Sequence, residues 1–156
     1  MNQVIKCAYR EAIKLLPLSK KLEIAGSIRR KKPDPRDVDI VMIPKSKKAV
    51  LDYVSKQKKG NIGVGEKLAS YNIDGVEVDL YFATKENWGA MLLYLTGPQK
   101  YNIGLRMVAK KKGLLLNQYG LWKKNGDKKL LLASQSEEEI YRALGKEWKA
   151  PELRGK

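Results

Sequence analysis

Hydrophobic spacing changes character along the chain, and that change divides it. Residues 2–16 carry apolar side chains three and four apart, so Ile5, Ala8, Ala12 and Leu16 read as the buried stripe of an amphipathic helix that Pro17 closes. Residues 21–25 read as a short strand running into a Gly26-Ser27 turn, where Ser27 suits a helix cap. Residues 36–43 and 76–82 alternate apolar with polar positions and are rich in β-branched side chains, the pattern of strands. The stiff basic loop Lys31-Lys32-Pro33-Asp34-Pro35 precedes the first of them, Pro44 ends it, and residues 46–56 suit a surface helix. Residues 62–82 predict a hairpin turning at Asn72-Ile73-Asp74-Gly75.

From Thr84 the period becomes helical. Residues 87–95 predict a helix, Thr96-Gly97-Pro98 breaks it, and a second helix runs over 98–112 to Gly113. Tyr101, Leu105 and Val108 take its core side, with Gln99, Asn102, Arg106 and Lys110 on a polar face. A hairpin follows over 119–124 and 128–132, and Ser136-Glu137-Glu138-Glu139 opens a last helix to Leu144. The expected fold is α+β: a mixed sheet flanked by helices over residues 1–84, then a small α+β subdomain over 85–156.

Candidate chemistry sits on the two alternating strands. A period of two points Asp37 and Asp39 to one face and Val38, Ile40 and Met42 to the other. In the second strand Val76, Val78, Leu80 and Phe82 take the core face and leave Asp79 opposite. Laid side by side, the strands bring three carboxylates together, a cluster that repels itself unless a cation sits in it; hard oxygen donors suit Mg²⁺, with Mn²⁺ as an alternative. An Asp-x-Asp pair alone is more often a solvated strand edge. Here a strand end turning into a helix, Ala25-Gly26-Ser27-Ile28-Arg29-Arg30, adds cations for an anion, and together these elements suggest a metal–nucleotide site.

Charge sharpens this. The 156 residues hold 32 Lys+Arg against 17 Asp+Glu and no histidine, a formal net charge of +15. Nine basic residues against Asp127 alone lie between Pro98 and Leu130, so a polyanion held through its phosphates is the expected partner. The run Lys110-Lys111-Lys112 suits either DNA or the negative end of its own helix. With no histidine and the single Cys7, which reads as an inert residue near the first helix's stripe, zinc sites and Ser/His or Cys/His nucleophiles are excluded. Trp88, Trp122 and Trp148 read as core or docking residues. Neither a signal peptide nor a membrane-spanning run is visible, which predicts a soluble intracellular protein, cytoplasmic in a bacterial or phage setting.

Taken in order, Gly26-Ser27-Ile28-Arg29-Arg30, Asp37-Val38-Asp39, Val78-Asp79, Tyr94-Leu95-Thr96-Gly97, Asn102 with Arg106, and Leu116-Asn117-Gln118-Tyr119-Gly120-Leu121 resemble the family X DNA polymerases, over nearly the whole chain. The resemblance implies a nucleotidyltransferase-type palm and a C-terminal nucleotide-closing, DNA-contacting subdomain. It implies that Asp37, Asp39 and Asp79 hold two Mg²⁺ ions and that Gly26, Ser27 and Arg30 bind the incoming triphosphate. Tyr94 and Gly97 would border the sugar, Asn102 the nascent base edge and Arg106 the templating side; the basic run, not the resemblance, adds Lys110, Lys111 and Lys112 as candidate DNA contacts. The implied activity is template-directed addition of dNMP to a primer 3′-hydroxyl, filling short gaps in primed DNA during repair, by a monomer. Template-independent or non-DNA nucleotidyl transfer and a non-catalytic nucleic-acid-binding derivative are the alternatives. The chain opens about one helix before the Gly-Ser motif, so the lyase and helix-hairpin-helix domains of longer relatives, and Schiff-base lyase activity, are expected to be missing. Three positions depart from the family pattern: Glu77 stands where DNA polymerase beta has arginine, Leu95 replaces an aromatic residue, and Gln118 a glutamate.

Overall fold

Val38, Ile40 and Met42, like Val78 and Leu80, have no exposed surface, and burying them aligns the two aspartate strands. A computed structural model describes residues 2–63 and 69–156 and divides the chain into two compact units, Met1–Ala83 and Thr84–Lys156. The first runs α1 (Gln3–Leu15), β1 (Ser19–Ile24), α2 (Gly26–Arg29), β2 (Val38–Pro44), α3 (Lys47–Ser55), β3 (Lys58–Ile62), β4 (Ala69–Ile73) and β5 (Val76–Phe82). Its sheet has the order β1-β2-β5-β4-β3, in which β2 and β5 are parallel and the other pairs antiparallel. One core joins Cys7, Ala8 and Leu15 of α1 and Val50 and Val54 of α3 to the apolar sides of β2, β4 and β5. Alternation then leaves Asp39, Glu77 and Asp79 on the other face, with Asp37 just before β2.

The helix ends follow local chemistry. The Asn2 side chain accepts from the N–H groups of Val4 and Ile5, and Ser46 caps α3 by accepting from Ala49. The β4–β5 turn holds Asp74 and Gly75 at φ 51° and 87°, the left-handed pair a tight hairpin requires. Residues 64–68, part of the segment expected to form this hairpin, lie outside the described residues. Strand β3 comes from a basic stretch whose residues are all exposed, so no alternation announced it.

Two expectations for this unit are corrected. The buried stripe of α1 is Cys7, Ala8, Glu11 and Leu15, while Leu16 is 57% exposed. Glu11 points inward because the hydroxyls of Tyr53 and Tyr71 both donate to its Oε1, at 2.8 and 2.7 Å, and the Lys14 ammonium lies 3.6 Å from its Oε2; two donors and a nearby cation offset much of the cost of burying the carboxylate. Ser27 is not the cap of α2: the helix starts at Gly26, Ala25 holds the cap position, and Ser27 lies in the first turn.

The second unit runs α4 (Trp88–Thr96), α5 (Gln99–Lys111), β6 (Leu114–Asn117), β7 (Gly120–Asn125), β8 (Lys128–Ala133) and α6 (Glu137–Ala143), with an antiparallel β6-β7-β8 sheet. Ala90, Leu93, Leu105, Leu116, Leu121, Ile140 and Tyr141 form its core. Helix α4 approaches the start of α6 so closely that a Cβ on Gly89 would stand 2.2 Å from the Ser136 carbonyl carbon. Ser136 caps α6 by accepting from the Glu139 N–H. Glu137, beside that cap, is buried and accepts both Arg154 guanidinium N–H groups at 3.0 and 3.1 Å and the Trp148 indole N–H at 3.1 Å, which fastens the C-terminal segment to α6. Of the tryptophans, Trp88 is buried and Trp148 is 41% exposed. The architecture is α+β, with a mixed sheet flanked by helices.

Candidate active site

Register does what sequence spacing cannot. In the parallel pair β2–β5, Val38 faces Val78 and Asp39 faces Asp79. Asp39 and Asp79 are therefore lateral neighbours, and Asp37 lies in the bend just before β2. Carboxylate oxygens of Asp37, Glu77 and Asp79 lie within 4.8 Å of one another. On the far side of β5, Ser70 pairs with Asp79 and Asn72 with Glu77, so polar β4 residues border the acids.

Asp39 is turned toward the Gly26 turn. Its backbone carbonyl accepts from the Ala25 N–H at 2.8 Å, and a Cβ on Gly26 would stand 2.2 Å from Asp39 Oδ2. With Gly26 at φ 60°, only glycine combines that backbone with room for the carboxylate. Burial, then the charges of Asp37 and Asp79, pushes the Asp39 carboxyl up to about 7 against the Arg30 guanidinium, which favours its charged form. Burial and the charges of Glu77 and Asp37 raise Asp79 to about 6. Burial lowers the Arg30 guanidinium, and Asp39 opposes that. Negative charge thus accumulates where positive charge would relieve it. The donors are all carboxylate oxygens, a set that fits a hard divalent cation such as Mg²⁺.

Beside the acids, Ser27, Lys32, Arg36 and Asp37 line one open groove with Pro33, Asp34 and Pro35. It places a hydroxyl and two cations next to a potential metal ligand, which suits a polyphosphate.

In the second unit, Tyr94, Asn102, Arg106 and Asn117 line a pocket with Ala90, Leu93 and Leu116. Asn102 does not belong to an outer polar face of α5, as its spacing suggested: it is 9% exposed, and its amide donates to the carbonyls of Leu93 and Tyr94 at 3.2 and 3.0 Å. These are carbonyls of the last turn of α4, where intrahelical donors run out, and Asn102 adds a donor there. Its own Oδ1 is buried without a hydrogen-bond partner among the described residues, an acceptor left for a donor that is not part of the fold. Arg106, one turn along, is exposed. Gly97 ends α4 at φ 62°, and the Gly97–Pro98 peptide is cis. Lys110, Lys111 and Lys112 are exposed at the end of α5.

Sequence reasoning did not assign Glu77 or Arg36 to the site. The parity of Glu77 with Asp79 was the available signal; the groove that includes Arg36 forms only when the Pro-containing loop packs beside α2.

Comparison with known proteins bears on the family of the chain. Residues 91–155 match the family model described as DNA polymerase beta thumb. The repair DNA polymerase X of one African swine fever virus isolate is 33% identical over 147 residues, covering 88% of this chain and 83% of the viral protein. That of a second isolate is 29% identical over 146 residues, with the same coverage. The human DNA-directed DNA/RNA polymerase mu is 39% identical over 80 residues, 51% of this chain and 16% of that protein. Identity of 33% over most of both chains, running through both units, means that the protein belongs to the family X DNA polymerases.

Proposed function

We propose that the protein is a DNA-directed DNA polymerase that extends a primer 3′-hydroxyl with deoxynucleotides, uses Mg²⁺, and fills short gaps in DNA under repair as a monomer. The observation that carries this reading is the parallel β2–β5 pairing, which makes Asp39 and Asp79 lateral neighbours beside Asp37. In this reading Asp37, Asp39 and Asp79 hold the cations. Bound divalent cations supply charge to the attacking and leaving oxygens of an in-line displacement. Gly26 keeps space for the Asp39 carboxylate, and Ser27 and Arg30 bind the triphosphate with help from Lys32 and Arg36 along the groove. Tyr94, Gly97, Asn102 and Arg106 contact the sugar, base and template. The +15 charge, with Lys110, Lys111 and Lys112 exposed, supports binding to the DNA backbone.

The test is primer extension with all four dNTPs, and separately rNTPs, on gapped, nicked and single-stranded DNA. Templated filling of the gap that requires Mg²⁺ and is lost in Asp79→Ala is the expected result. Untemplated tailing of single strands would move the protein to the tailing enzymes of the same superfamily, and DNA binding without turnover would refute the catalytic assignment.

A further inference from the structure

We infer that Glu77 is a fourth carboxylate of the divalent-cation site and helps the protein hold cations before any nucleotide arrives. The inference rests on the polymerase reading above and adds a residue to it.

Glu77 and Asp79 are two residues apart on β5, Asp39 faces Asp79 across the parallel pair, and Asp37, in the bend just before β2, brings its carboxylate near that of Glu77. Backbone offset along a strand is about 7 Å for two residues, so a shared ion is reached by side-chain length and not by backbone proximity. Glutamate is one methylene longer, and Glu77 uses that reach: its carboxylate oxygen lies within 4.8 Å of those of both Asp37 and Asp79. An exposed glutamate on a strand is usually only solvated. This one is surrounded by like charge on its own face, an arrangement that destabilises a sheet unless a cation joins the groups. Four carboxylates also carry the charge that two divalent cations neutralise, whereas three leave the pair under-compensated until a triphosphate supplies the remainder. Glu77 therefore shifts cation binding from the nucleotide toward the protein, and the site loads at a lower Mg²⁺ concentration.

The experiment titrates the full chain, without nucleotide, with Mn²⁺ followed by electron paramagnetic resonance and with Mg²⁺ followed by calorimetry. Wild type, Glu77→Gln and Asp79→Asn are compared, with circular dichroism in EDTA as the check on folding; the glutamine is isosteric and its position is exposed, so the fold is retained. Expected is a loss of affinity in Glu77→Gln of at least the roughly tenfold that removing a partner from a metal site costs, and a loss in Asp79→Asn as well. Wild-type affinity in Glu77→Gln alongside a loss in Asp79→Asn would overturn the role of Glu77 and leave the polymerase site standing. Unchanged affinity in both variants would overturn both.

Discussion

Replacing Asp39 by asparagine should stabilise the metal-free protein at the pH where the enzyme works. In the folded chain the Asp39 carboxyl titrates at about 7 rather than 3.8, chiefly because it is buried and secondly because Asp37 and Asp79 repel its charge. A group whose folded value lies above its unfolded value binds more protons in the native state. Stability is then lost as pH rises from the unfolded value through the folded one, here from about 4 to about 7. At about 1.4 kcal/mol per pH unit the rise is worth about 4 kcal/mol as a ceiling, and the access that Asp39 keeps to solvent reduces the expected effect to roughly 2 kcal/mol. The chain contains no histidine, and Asp79, raised to about 6, adds a loss of the same sign in this window, which the Asp39→Asn variant keeps. Urea unfolding in EDTA between pH 4.5 and 8 measures it. Wild type should weaken steadily with pH, Asp39→Asn should weaken less and be the more stable protein at pH 8, and Mg²⁺ should restore wild type but not the variant. Wild-type stability that is flat or rises across that range in EDTA, with the variant no more stable at pH 8, would refute the idea that these carboxylates are held together against their own repulsion.

Three further outcomes follow from the same structure. Gly26→Ala should cost about 1–2 kcal/mol from its left-handed backbone alone and should depress primer extension further, since the new methyl displaces the Asp39 carboxylate; melting temperature and extension rate, measured on one preparation, separate the two effects. Tyr71→Phe removes one of two hydroxyls from the buried Glu11 carboxylate, which should cost roughly 2–3 kcal/mol in urea unfolding, and an unchanged midpoint would mean that water replaces the donor. Changing Lys110, Lys111 and Lys112 together to alanine should flatten the salt dependence of DNA binding by up to about 0.9 in logarithmic slope for each phosphate no longer neutralised; a parallel line at lower affinity would assign those lysines another role.

The alternation of β2 and β5 was legible from sequence because one face of each strand had to be buried, and a period of two then leaves no choice about where Asp39 and Asp79 point. The helix caps Asn2, Ser46 and Ser136 follow from chemistry within a few residues. Other features depend on partners distant in the chain. Glu11 is polar by type, yet it is buried because hydroxyls 42 and 60 residues away reach it. The inward turn of Asn102 depends on carbonyls in the last turn of the preceding helix. Strand β6 lies in a leucine run whose period fits neither element, and pairing with β7 makes it a strand. Glu77 was visible as an acid on the correct face, but only the parallel register of two strands far apart in sequence set it beside Asp37. Sequence by itself determined which side chains share a face, since that is local stereochemistry; tertiary structure decided which faces meet and at what offset, because strand register is selected by the packing of the whole sheet.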